Sequence, residues 1–317
     1  MKEMNLVHSR FSRRSALIGA TGLAIGRSQV AVAQEPRALP LAWPGRHPGD
    51  GFWIRNAFAV ENTWYNPGWW HCGEDWYALG DVETGGAEVL SVGHGEVVYV
   101  GSDYPGRVVI VEQENGLYAM FGHLEPDSIV PEGTPVRVGD MLGTVYHRTD
   151  GRAPSHLHFE MRTFLFNDRV NGDHPEHGVR CGLNCPPGPG YWPMSAEHPI
   201  ELGWRNPVLA IAAGTFTGRC FVTESAPSVM TLLDEPDGQS LGEQPLRAGD
   251  LVAIDEVRAL DSAADETSAE HYQVWGRTSI GGQSGWLRIV QPAAGDTGSD
   301  GRPASVEILL APERFML

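Results

Sequence analysis

Ser155-His156-Leu157-His158-Phe159-Glu160 sets two histidines one residue apart inside a run flanked by apolar side chains. In a strand, alternate side chains share a face, so His156 and His158 point the same way. Two histidines do not complete a metal site. The upstream residues best suited to join them are His71 and Asp75, in His71-Cys72-Gly73-Glu74-Asp75. A catalytic zinc commonly takes three protein ligands from His and carboxylate and leaves a fourth position for water, and His71, Asp75 and His158 supply that set. His156, on the face of His158, and His123, at the end of another run in Phe121-Gly122-His123-Leu124, are placed to reach the open side of the metal. A zinc ion lowers the pKa of bound water to about 7 and polarises a carbonyl, which is the chemistry of hydrolysis at neutral pH.

Working outward, the neighbouring runs are short, rich in Val and aromatics, and broken by Gly, Pro and Asn. They are Glu88–Val92, Gly95–Val100, Arg107–Glu112, Leu117–Phe121 and the pair at 135–140 and 141–145. This punctuation predicts a mainly β protein of consecutive strands. Residues 34–51 carry Pro36, Pro40, Pro44 and Pro48 without alternation and read as an extended lead-in, with structure starting near Phe52. Residues 164–200 break the rhythm and read as a long surface excursion, an insertion in a first domain spanning 52–213. A second set of β-rich runs occupies 214–292, and residues 293–317 read as a C-terminal tail that begins with a mobile Gly/Ala/Asp/Ser segment.

At this point the motifs carry a resemblance. His71-x-Gly73-x-Asp75, Phe121-Gly122-His123-Leu124, Val138-Gly139-Asp140 and His156-Leu157-His158-Phe159-Glu160, in that order, resemble the lysostaphin-type (LytM-like) zinc metallopeptidases over residues 52–163. The resemblance implies an antiparallel β fold with an open groove, one Zn2+, and hydrolysis of peptide links in bacterial peptidoglycan. It implies His71, Asp75 and His158 as metal ligands and His123 and His156 as catalytic histidines, with peptidoglycan stem peptides as substrate. The chain departs from the family at Phe121, where Tyr is usual, and at Glu74, where an apolar residue is usual. Glu160 is read as orienting a ligand or pairing with an arginine. The other reading is a non-catalytic wall-binding protein or an activator of wall amidases, with regulatory partners at the cell wall. The run of residues 214–292, ending in Gly285-Trp286-Leu287, resembles a bacterial SH3-like barrel.

The amino terminus gives the address. Ser12-Arg13-Arg14, an apolar run from Ala16 to Ile25 and Ala31-Val32-Ala33 resemble a twin-arginine export signal over residues 1–33. That run is too short to span a bilayer, so the expectation is an exported periplasmic or extracellular protein without stable membrane insertion. The formal charge is −17 and the only lysine is Lys2, which disfavours nucleic acid and anionic membranes as partners. Four cysteines in an oxidising compartment predict disulfides, with Cys181 to Cys185 and Cys72 to Cys220 the preferred pairing. His174 and His177 with Cys181 and Cys185 also have the residue types of a four-ligand zinc site, and the disulfide is the simpler reading. The aromatics Trp64, Tyr65, Trp69, Trp70, Trp76 and Tyr77 are assigned to a substrate groove or to the core beneath the sheet.

Overall fold

The strand that carries the paired histidines, Leu157–Arg162, lies inside a long antiparallel sheet between Tyr118–Gly122 and Glu74–Ala78. Past Tyr118–Gly122 come Val108–Gln113, Gly95–Gly101 and Pro135–Val136. Past Glu74–Ala78 come Phe52–Asn56, Val306–Ile308, Gln283–Pro292, Met230–Leu233 and Ser240–Gln244. The computed structural model describes residues 35–63, 65–101, 107–151, 153–178, 190–259, 272–295, 297–299 and 301–314. Over those residues the fold is mainly antiparallel β with few helices, as the sequence predicts. No helix among them is long and apolar enough to cross a membrane.

Side-chain alternation explains the central strands. Val109, Val111, Ala119, Phe121, Leu157, Phe159 and Met161 enter the main core, and Val108, Ile110 and Met120 form a small cluster on the opposite face. Strands buried on both sides need apolar residues at consecutive positions, which is why Val108-Val109-Ile110-Val111 shows no polar alternation. In Leu157–Arg162 the core-facing residues alternate with His158, Glu160 and Arg162, and all six are buried.

Three expectations change. The lead-in is extended but built into the core: Ala38, Leu39, Leu41 and Ala42 are fully buried, and Leu41–Ala42 pairs with Glu88–Leu90. Its prolines suppress alternation without preventing burial. The stretch read as a tail contains two strands, Val306–Ile308 and Leu310–Pro312, whose apolar residues fill the core. The Cys72–Cys220 bridge is absent; both thiols are free and buried. Cys72 Sγ lies 4.0 Å from the Trp70 carbonyl and Cys220 Sγ donates to the Phe216 carbonyl at 3.3 Å, so each is sealed against its own segment. Burial raises the Cys72 thiol well above its usual range and the Cys220 thiol to about 12, which keeps both protonated and inert. Cys181, Cys185, Trp64 and the export segment 1–33 lie outside the described residues.

From Gln34 onward the chain packs as one unit, and Glu74 is one of its joints. This carboxylate is fully buried on the core side of its strand, opposite Asp75. It accepts from the Trp76 indole at 2.9 Å and from Val208 N at 3.0 Å. Val208 opens the helix Pro207–Phe216, which Asn206 caps and Pro207 begins. The Tyr272 hydroxyl accepts from Phe58 N at 2.7 Å and also bonds Glu74. Burial lifts Glu74 to about 7 against the pull of these three donors. A Glu74→Ala change leaves the Val208 N–H, the Trp76 indole N–H and the Tyr272 O–H without that acceptor. Each unpaired buried group costs about 1–3 kcal/mol, so urea unfolding is expected to show a loss of at least about 3 kcal/mol. A loss under about 1 kcal/mol would contradict the joint.

Candidate metal centre

The register of three strands brings the predicted residues together. Asp75 and Gly122 are the cross-strand partners of His158, one on each side, and His123 follows Gly122 directly. His71 ends the strand Asn66–His71, and Gly73 turns the chain toward Asp75. A Cβ at Gly73 would sit 2.5 Å from the Phe159 carbonyl oxygen, so only glycine lets the two ligand-bearing segments approach this closely.

His71 Nε2, Asp75 Oδ1 and His158 Nδ1 form a nearly equilateral triangle. The separations are 3.1 Å between the two nitrogens, 3.3 Å from His71 to Asp75 and 3.1 Å from His158 to Asp75. Ligand atoms tetrahedrally disposed at zinc bond lengths are about 3.3 Å apart. All three residues are buried, and among the described residues this is the one group of metal-binding geometry.

The surroundings fit a cation. His158 Nε2 is 2.8 Å from Glu160 Oε1, which takes the Nε2–H and leaves the Nδ1 lone pair aimed at the centre. Glu160 is itself held by the Trp204 indole at 2.8 Å and by Arg162 at 3.5 Å, so it both holds the His158 ring and pairs with an arginine. Asn56 donates to Asp75 Oδ2 at 2.8 Å, leaving Oδ1 for the centre. Burial works against charge at both ligands, yet the imidazoles hold Asp75 well below the usual carboxylate range, and Asp75 and Glu160 lift His158 to about 9. A ring this basic draws positive charge to Nδ1, and a metal ion would replace the proton there. His71 Nδ1 has no hydrogen-bond partner among the described residues, which leaves Nε2 as its working atom.

The remaining two histidines line the cleft beside this triangle. His123 and His156 stand edge to face with ring centroids 4.6 Å apart, and His156 Nε2 is 3.8 Å from Asp75 Oδ1. His156 Nδ1 donates to the Pro154 carbonyl at 3.0 Å, which turns an unprotonated Nε2 toward the cleft. The regular strand begins one residue later, at Leu157. His123 adopts a left-handed backbone with φ 65°, a strained conformation that persists where the surrounding structure fixes it. Its carbonyl is held by Tyr146 N at 2.8 Å. Burial lowers both rings, and neighbouring imidazoles add to the effect at His123.

The cleft, of ≈ 210 Å³, is also lined by Tyr65, Tyr77, Arg148 and Tyr191. Tyr77 stacks on His156 at 4.8 Å, and it shares the face of Asp75 by simple alternation. That signal was available in the sequence and decides between groove and core: Tyr65 and Tyr77 face the cleft while Trp76 is fully buried. Tyr191 was not foreseeable from local pattern. It comes from the supposed surface excursion, where Tyr191–Pro193 pairs with Asn66–His71 and sets its ring 4.9 Å from that of His71. In the same excursion His174 and His177 rest on Trp192, at 5.4 and 5.9 Å.

An antiparallel sheet that presents a His-Asp-His triangle and two further histidines at an open cleft has the residues of a metallohydrolase centre. Residues 77–173 match the family model described as Peptidase family M23. That span contains His123, His156 and His158 and begins two residues after Asp75. No curated protein matched the chain. Among solved structures, the catalytic domain of the prophage-encoded M23 protein EnpA from Enterococcus faecalis, in a mutant form, is 24% identical. The match covers 37% of this chain and 84% of that one, with a TM-score of 0.30. Lysostaphin from Staphylococcus simulans is 17% identical over 84% of this chain and 98% of its own, with a TM-score of 0.33. A zinc containing peptidase from Vibrio cholerae is 25% identical over 40% of this chain and 36% of its own, with a TM-score of 0.29.

If Glu160 orients His158, Glu160→Gln should weaken zinc binding by about 10–100-fold in competition with a chromophoric chelator. Unchanged affinity in a folded variant would mean that Glu160 only fills space.

Proposed function

We propose that the protein is an exported zinc-dependent endopeptidase that hydrolyses peptide cross-links of bacterial peptidoglycan. The observation that carries this reading is the triangle of His71, Asp75 and His158, with donor atoms 3.1–3.3 Å apart beside two unliganded histidines at an open cleft. The match of residues 77–173 to Peptidase family M23 supports the peptidase class. Residues 214–292 are then the SH3-like module that adds affinity for the wall, and residues 1–33 the export signal.

Zinc held by His71, Asp75 and His158 would supply Lewis acidity, bringing the pKa of water toward neutrality and polarising the scissile carbonyl. The protein's own groups complete the reaction. His156, locked by Pro154 into the tautomer with a free Nε2, takes the proton released as water adds to the carbonyl and returns it to the departing amine. His123, 4.6 Å away, donates its N–H to the oxygen on which charge develops. Tyr77 stacked on His156 keeps that ring in plane while the proton moves.

Purified stem-peptide dimers should be cleaved by the zinc-loaded protein, and removal of zinc with a chelator should abolish cleavage until zinc is restored. Cleavage that survives complete zinc removal would refute the reading, and wall binding without new amino groups would favour a non-catalytic role.

His156→Ala and His158→Ala should separate the two kinds of histidine. The first is expected to lower kcat by about 100-fold or more with zinc retained, since general acid–base groups contribute about 10²–10⁴ in rate. The second is expected to empty the site. Zinc content measured beside turnover decides, and loss of zinc from His156→Ala would overturn the division.

A further inference from the structure

Among the described residues, Arg148 is the only arginine or lysine that lines the cleft. Its position is fixed: the backbone N–H donates to Ser155 Oγ at 2.9 Å, next to His156, and its charge is felt by His123, His156 and Tyr77. The side chain is 22% exposed, so its donors are neither buried in the protein nor lost to bulk water. One of them is engaged, Nη2 with Asp150 Oδ2 at 3.1 Å, and Asp150 is itself 47% exposed. Among the described residues, Nε and Nη1 have no acceptor. An exposed ion pair of this kind contributes about 0–1 kcal/mol, so it yields readily to a better partner.

A guanidinium presents a planar fork of N–H donors that matches a carboxylate in two parallel bonds. In a chain of net charge −17, an anionic ligand is repelled at long range and needs a local cation at the point of docking. Asp75 is the one carboxylate among the described residues that line the cleft, and a metal there would neutralise it.

We propose that Arg148 is the specificity-determining residue that receives a free carboxylate of the substrate, so that the cleft selects peptides with a carboxylate near the scissile bond. This rests on the peptidase reading and adds the chemical class of the substrate to it.

The test uses the zinc-loaded full chain with two probes: a stem-peptide dimer with free carboxylates and the same dimer with its carboxylates amidated. Equilibrium binding of each is followed by intrinsic tryptophan fluorescence on a His156→Ala background, and KM and kcat are measured on the wild type. The wild type is expected to favour the free dimer by about tenfold in KM with kcat similar, the worth of one charge-assisted pair. Arg148→Gln should bring the ratio between the two probes close to one in both binding and KM. Arg148→Lys, which restores the charge without the fork, should recover only part of it. Equal handling of the two dimers by the wild type would overturn the proposal, as would an Arg148→Gln variant that kept the preference. If neither dimer is cleaved, the peptidase reading fails, and the binding ratio still decides the role of Arg148 alone.

Discussion

The triangle of His71, Asp75 and His158 depends on the register of one strand. Leu157, Phe159 and Met161 are committed to the core, and Phe159 stacks on Phe121 of the neighbouring strand at 5.3 Å. A slip of one residue would exchange every side chain between faces, driving His158 and Glu160 into the apolar core and Phe159 into the cleft. Hydrophobic packing thus fixes where three polar atoms meet. Asp75 and the turn at His123 follow, because Asp75 lies on one strand paired to this one and His123 directly follows the other.

Such an arrangement takes several ionisable groups out of water, and a buried ion pair is weak evidence of stability by itself. The polar line of His158, Glu160, Arg162 and Trp204 is better understood as orientation. Each group holds the next: the indole and the guanidinium hold Glu160, Glu160 holds the ring of His158, and the ring aims one lone pair. Loss of Glu160 would leave the Trp204 indole, the Arg162 guanidinium and the His158 ring without this acceptor in a low-dielectric interior, which makes the line stiff. On the other side of the next strand, Glu74 plays a structural counterpart to Asp75: adjacent residues face opposite sides, one toward His71 and His158 and the other toward the helix and Tyr272.

What was legible in the sequence was whatever depends on local periodicity. The His-x-His pair, the β-rich runs on either side and the His71-x-Gly73-x-Asp75 spacing all express alternation or a close approach that needs glycine. Tyr77 belonged to the same class, being two residues from Asp75. The burial of residues 38–42 and the strands at 306–312 were not legible, because a short segment gains its place from distant partners rather than from its own pattern. Tyr191 reached the cleft for the same reason, through pairing with Asn66–His71. Cysteine counting failed for Cys72 and Cys220 because composition indicates which bridges are chemically allowed, whereas these two are each enclosed by their own segments.

The far end of the chain therefore bears on the candidate metal centre. Val306–Ile308 pairs with Phe52–Asn56, which in turn flanks Glu74–Ala78. Ser305 Oγ donates to the Arg55 carbonyl at 3.0 Å and Ala57 N donates to the Ala304 carbonyl at 2.9 Å, bracketing Asn56 on both sides. Asn56 is the residue that holds Asp75 Oδ2. Without the carboxy-terminal strand, Phe52–Asn56 would become an open edge with unpaired backbone, and the amide that positions Asp75 would lose its support. The recognisable motif is carried by residues 71–160, but its rigidity comes from both ends of the sequence. A match confined to residues 77–173 therefore takes in His123, His156 and His158 and leaves out His71, Asp75 and the strands at 52–56 and 306–308 that brace Asp75.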